Sequence, residues 1–328
     1  MKKTLVAVAA IFAVTGAMAD VTIFGIVDQG YNMTSTKTAG VSAKTTAVGG
    51  AYTGSELGFK GSEDLGNGLK ANFQIHFAPN VDGTPSTAAP VGSTSPTAYQ
   101  SHVGVSGGFG AVKLGQYFSP MFFHNATFDA TGASAFGYNV SGVTGTAAVT
   151  SNAIQYDLPT LVQGLGVTYM MAKGEVARPA TTATNDVSNI RLMYSTGPFS
   201  AGISTATKKG LTGASTKDSG TGLSYDLGMA KLLYNATSSK ATSATVATKG
   251  SNIGISIPLG ATTLNYTSTT SKNTSAANAQ SSGSLIQAIY ALSKRSSLIF
   301  QNGSTKVTSG TSNGDTTKGT SVALWHAF

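Results

Sequence analysis

Val322-Ala323-Leu324-Trp325-His326-Ala327-Phe328 is an alternating stretch that ends on a phenylalanine. Alternation at period two reads as a strand with one apolar face. At the other end of the chain, Lys2 and Lys3 precede an apolar run from Leu5 to Val14, and Ala17-Met18-Ala19 follows it just before Asp20. This is the layout of an export signal cleaved after Ala19, which leaves residues 20–328 as the mature chain. An exported half-apolar strand has few places to bury its apolar face. One such place is the lipid of a bacterial outer membrane. A strand edge left open in hydrocarbon strands backbone polar groups at several kcal/mol each, so such strands close into barrels.

Composition narrows the choice. No other stretch approaches the roughly 20 apolar residues of a membrane helix. The 328 residues contain no cysteine, which excludes disulfide frameworks and thiolate metal sites. There are 21 basic and 13 acidic side chains, a formal net charge of +8, which becomes +6 once Lys2 and Lys3 leave with the signal. The basic residues are scattered rather than gathered in the stripe that nucleic-acid binding needs. Charged residues make up only 10% and glycines number 40, whereas ordinary soluble domains are about 25% charged.

The alternation continues along the chain. Ala71, Phe73, Ile75 and Phe77 face one way, and Lys70, Asn72, Gln74 and His76 the other. On the first strand Val21, Ile23 and Val27 oppose Thr22, Phe24, Ile26 and Asp28. Short connections, such as Asp64–Gly68 and Pro258–Ala261, alternate with long Ser/Thr/Ala/Gly-rich ones at 33–52, 79–97, 118–150, 173–187, 207–218, 238–248, 270–282 and 306–317. Segregation of loop length by parity predicts an all-β, transmembrane antiparallel β-barrel of about sixteen strands, with both ends on the short-turn side. The barrel is one domain, 20–328, because dividing it would expose edges.

Ser55 to Ala71, with Leu57-Gly58-Phe59 and Asp64-Leu65-Gly66-Asn67-Gly68, resembles the second hairpin of Gram-negative general porins, in particular the beta-proteobacterial and neisserial branch. Ile23–Asp28, Gly107–Gly115, Asn152–Asp157, Tyr290–Arg295 and Leu324–Phe328 extend the resemblance in order along the chain. It implies a homotrimer of sixteen-stranded barrels in the cell outer membrane, passing small hydrophilic solutes and ions by diffusion. It implies that loop 118–150 folds inward as a constriction. It also implies that Phe328 is a signal for the outer-membrane insertion machinery, and the Pro-rich loop 79–97 is a candidate latch between subunits. The family commonly has basic residues where Glu56, Gln116 and Trp325 stand here, and can have lysine at Ile26.

Strand parity places Asp28, Glu56, Lys60, Gln74, His76 and Arg191 on the lumen face, with Lys70, Gln155 and Lys231 beside them. Asp129 is the acidic residue of loop 118–150, and Gln116 occupies a position that is usually basic. Fixed charges facing a narrow water-filled gap bias which ions pass, so Glu56 and Asp129 are the expected eyelet acids. Lysines near a short turn are equally well explained as solvated rim charges. The four histidines, 76, 102, 124 and 326, have no metal spacing and adjoin no nucleophile motif, so no cofactor, metal or catalytic residue is expected. The expected function is a weakly cation-leaning general diffusion channel. A substrate-specific channel and a non-conducting adhesin or structural barrel are the alternatives.

Overall fold

The computed structural model describes residues 20–79, 81, 99–132, 144, 147–174, 186–210, 215–244, 247–273, 279–310 and 312–328. The export signal at 1–19 and nearly all of loop 79–97 lie outside the described residues, as do most of 133–146.

Strands β1 (Asp20–Thr38), β2 (Val41–Gly49), β3 (Glu56–Gly66), β4 (Leu69–Phe77), β5 (Ser101–Gly107) and β6 (Gly110–Phe118) lead to a short helix, α1 (Pro120–Thr127). After it come β7 (Val149–Asp157), β8 (Leu165–Ala172), β9 (Val187–Thr196), β10 (Phe199–Lys209) and β11 (Ser215–Asp226). The series ends with β12 (Lys231–Ala241), β13 (Thr248–Leu259), β14 (Thr262–Asn273), β15 (Gln280–Ala291), β16 (Ser296–Ser309) and β17 (Thr316–Ala327). Sequential neighbours pair antiparallel, and β17 returns to β1 from Ile26↔Ala327 to Lys37↔Thr316. The sheet is closed.

Seventeen segments make sixteen staves. The upper half of β1 pairs with β2, from Gly30↔Gly49 to Thr38↔Val41, and the lower half pairs with β3, from Asp20↔Ser62 to Ile26↔Glu56. β2 and β3 are thus one stave, interrupted by residues 50–55. The expected long loop at 33–52 is a hairpin instead. Ala39 and Gly40 both take positive φ, 49° and 86°, the geometry of a tight two-residue turn. The loops at 207–218, 238–248, 270–282 and 306–317 are also shorter than expected, because their Thr- and Ser-rich flanks continue the ladders. Threonine suits strands, so low hydrophobicity there marks a ladder standing in water, not a loop.

The faces follow parity. Leu223, Tyr225, Tyr234, Ile253, Tyr266, Leu298 and Leu324 are exposed on the outside, where lipid would cover them. Gly222, Ser224, Asn235, Asn252 and Ala323 alternate with them on the inside. Below the β1–β17 ladder, the Phe328 amide donates to the Gly25 carbonyl at 3.0 Å and the Gly25 amide to the Phe328 carbonyl at 3.2 Å. The Phe328 ring lies where a Gly25 side chain would project, and the Glu56 carbonyl crowds the same point at 2.6 Å. Gly25→Val is therefore expected to cost about 1–3 kcal/mol by overpacking the closure seam. A lower urea midpoint of the refolded barrel, with an unchanged m-value, would register it.

Candidate permeation pathway

Two inward insertions shape the lumen. The first is 50–55. Asp28 points inward from β1, as its parity requires, but this insertion covers it completely. Its Oδ2 accepts backbone N–H groups from Tyr52, Thr53 and Gly54 at 2.8 Å each and from Ala51 at 3.3 Å. Ser55 Oγ takes the Asp28 amide at 3.1 Å. Four converging donors compensate the buried carboxylate for its lost water and satisfy a backbone that has left the ladder. Asp28 is 0% exposed. It serves the insertion and is not open to the barrel interior. Trp325 covers the other side: its indole Nε1 donates to Thr53 Oγ1 at 3.0 Å, and its ring packs on Ala51, Ile299 and Ala323.

The second insertion is the start of loop 118–150. Ser119 caps α1, accepting from the Phe122 amide at 3.1 Å, and Pro120 follows at the first helical position. The helix lies against the inner wall of β9, β10 and β11. Gly202 and Gly222 leave room for the Phe128 ring, Gly220 for His124, and Gly254 for Ala130. The Asn235 amide donates to Asn125 Oδ1 at 3.1 Å. Arg191 donates to Thr127 Oγ1 at 2.8 Å, placing a cation near the helix C-terminus, where it is favoured. Burial, with the Arg191 charge nearby, holds His124 down at about 4, so its ring is neutral at physiological pH.

Between the insertions stands an aromatic series. His76 meets Phe24 edge-on at 5.3 Å and Tyr99 at 5.1 Å; Tyr99 meets Phe118 at 5.4 Å, and Phe118 stacks on Phe122 at 5.0 Å. Phe123, which also touches Phe118, lies on the side of α1 turned away from the wall and is 40% exposed. Glu56 approaches His76 at 3.2 Å and keeps 19% of its side chain accessible. Burial first, then the Glu56 and Asp28 charges, raise Tyr99 above the ordinary tyrosine range, so its hydroxyl stays neutral.

The other candidate residues spread out. Lys60 and Gln74 line a cavity of about 550 Å³ toward the short-turn end, and Lys60 Nζ sits 5.3 Å from the Phe24 ring centroid. Gln116 bridges the Tyr99 carbonyl at 2.7 Å and the Ser151 hydroxyl at 2.8 Å. Asp129 is buried, and its Oδ1 accepts from the Thr131 amide and hydroxyl at 2.9 and 2.8 Å. Thus Glu56 and His76 come together, whereas Asp28, Asp129 and Arg191 bind the inserted segments.

A belt of neutral amides crosses the inner wall and was not among the residues expected from sequence. Asn265 donates to Gln287 at 2.8 Å, Gln287 to Gln301 at 3.3 Å, and Gln301 to the Ala51 carbonyl at 2.8 Å. Thr267 donates to Asn252 at 2.7 Å on the same wall. The belt runs from the Asp28 insertion toward Asn235 and α1. These residues share the inward parity of their strands, but their uncharged side chains carry no further signal. Among the described residues, no group of three or more His, Asp and Glu side chains has metal-binding geometry.

The sequence pattern of Gram-negative porins matches residues 6–310. The chain belongs to the Gram-negative porin family. Outer membrane porin protein 32 of Delftia acidovorans is 31% identical over 71% of this porin and 68% of its own length. Major outer membrane protein P.IB of Neisseria gonorrhoeae is 36% identical over 48% of this chain, which spans about half of that relative, 45% of its length. The anion-selective porin from Comamonas acidovorans superimposes with a TM-score of 0.80 over 95% of this chain and 100% of its own, at 24% identity, and shows the same barrel. Family and fold together place this porin in the outer membrane.

The Asp28 cluster carries a direct test. Asp28→Ala leaves four backbone donors without their acceptor, each worth about 1 kcal/mol or more when buried, so a loss of about 3 kcal/mol or more is expected. Urea unfolding monitored by tryptophan fluorescence reads it, because Trp325 is the sole tryptophan and rests on this insertion.

Proposed function

We propose that the chain forms a water-filled outer-membrane channel through which small hydrophilic solutes and ions diffuse passively, with α1 and the 50–55 insertion narrowing it. The observation that carries this reading is a closed barrel with a polar inner wall onto which both segments fold. Family membership supports the same activity and assembly as a homotrimer. It also supports a role for Phe328 in recognition by the insertion machinery. No reaction is part of this reading.

Selectivity in this reading is weak and leans toward cations. The amide belt is neutral, Asp28 is covered, Arg191 is held against α1 at the wall while keeping its charge, and Glu56 keeps partial access to the lumen. A unit charge about 10 Å from the ion path in water contributes about 0.4 kcal/mol, a factor of about two in local ion concentration. Because the same charge attracts potassium and repels chloride, Glu56→Gln is accordingly expected to move the potassium-to-chloride permeability ratio toward chloride by about fourfold at low salt and by less as salt screens it. Reversal potentials in asymmetric KCl measure it. A clear anion preference in the unaltered protein would sink the proposed lean.

A second reading, a channel that prefers aromatic solutes, draws on the exposed Phe123 ring beside Phe118 and Phe122. Saturable block of the current by a small aromatic solute favours that reading, and a linear flux disfavours it.

A further inference from the structure

The outer face of β11–β14 is graded along the strands. Toward the short turns it presents Leu223, Tyr225, Leu232 and Tyr234, all exposed. Farther from those turns come hydroxyl side chains, among them Ser238, Ser251 and Thr270. Beyond them, on the same outward parity, stand Lys217, Lys240, Lys249 and Lys272, all exposed. The register sets Lys217 directly opposite Lys240, and Lys249 directly opposite Lys272. Like charges directly opposite each other destabilise a ladder. None of the four forms an ion pair with another described residue. A cleft of about 400 Å³ opens here, lined by Lys249, Lys272 and the three hydroxyl residues, with Tyr234 among its walls.

We propose that this face binds the phosphorylated headgroup of an outer-leaflet lipid, with its phosphate held between the lysine pairs and its acyl chains lying along the Leu/Tyr band. The charge arrangement favours an anion, since negative charge brought between two adjacent like-charge pairs relieves repulsion that water and salt only weaken. Hydroxyl donors within the same cleft suit phosphate oxygens. Continuity with the apolar band selects a lipid over a soluble anion, and lysines at the edge of a membrane are attracted to anionic headgroups. A second copy docked two-fold symmetrically through this face would bring lysines against lysines. The assignment of the leaflet rests on the proposed outer-membrane orientation, in which the short turns face inward to the cell.

The test uses the refolded full-length barrel in detergent, titrated with lipid A carrying both phosphates and followed by native mass spectrometry. Replacing all four residues, as Lys217→Ser, Lys240→Ser, Lys249→Ser and Lys272→Ser together, is expected to weaken binding roughly tenfold or more, as is removal of the lipid phosphates. Lys294→Ser, at the opposite rim, should leave binding unchanged. Retention of full affinity by the fourfold variant overturns the proposal. So does competition by inorganic phosphate as effective as that of the lipid, which would mark a soluble-anion site, or a change in oligomeric state without a change in lipid affinity. Bilayer conductance of the same samples is scored separately. Failure of the channel reading therefore shows in the recordings, and failure of the lipid site in the titration.

Discussion

Every backbone N–H and C=O at membrane depth needs a partner within the sheet, and the rest of this molecule depends on that requirement. The first strand meets it on both edges. β1 pairs along one side with β17 and along the other with β2 and then β3. Where the β2–β3 stave is interrupted, residues 50–55 lose their ladder partners, and the Asp28 carboxylate replaces them. A buried carboxylate here substitutes for a missing stretch of strand. The same feature buries Asp28 away from the barrel interior.

The lumen follows from two inward insertions joined by neutral chemistry. Glycines at Gly202, Gly220 and Gly222 clear a bed for α1, and Asn235 and Arg191 fasten it. Gln301 ties the amide belt to the 50–55 insertion. Amide-to-amide hydrogen bonds secure position without placing fixed charge beside the path. In the proposed channel, a wall built this way restricts size more than it sorts ions.

Much of this was legible in the sequence, for a physical reason: a barrel strand must alternate, so parity alone sorts lipid-facing from lumen-facing residues. The inward parity of Glu56, Lys60, Gln74 and His76 follows from it, while the alternation of short and long connections points to closure and sixteen staves. What parity does not carry is the partner of an inward residue. Asp28 is covered by atoms 23 to 26 residues later in the chain, and nothing local to it signals the insertion. The hairpin at Ala39-Gly40 was hidden because alanine replaces the Asn or Asp that usually marks a turn of two positive-φ residues, as Asn67-Gly68 does at the next hairpin. The amide belt was hidden because an uncharged inward side chain does not signal which neighbouring strand's amide it will bond. The bed for α1 was hidden because a glycine marks open space only once its neighbours are known.

That α1 docks on the glycine bed and narrows an open aqueous path is the centre of this account. Single-channel recording of the purified protein in a planar bilayer, beside Gly222→Val, tests it most directly, because a side chain at position 222 occupies the place of the Phe128 ring. Discrete ohmic steps in the unaltered protein, with altered step size or added current noise in the variant, are the predicted result. An absence of steps, or identical steps in both proteins, would contradict it.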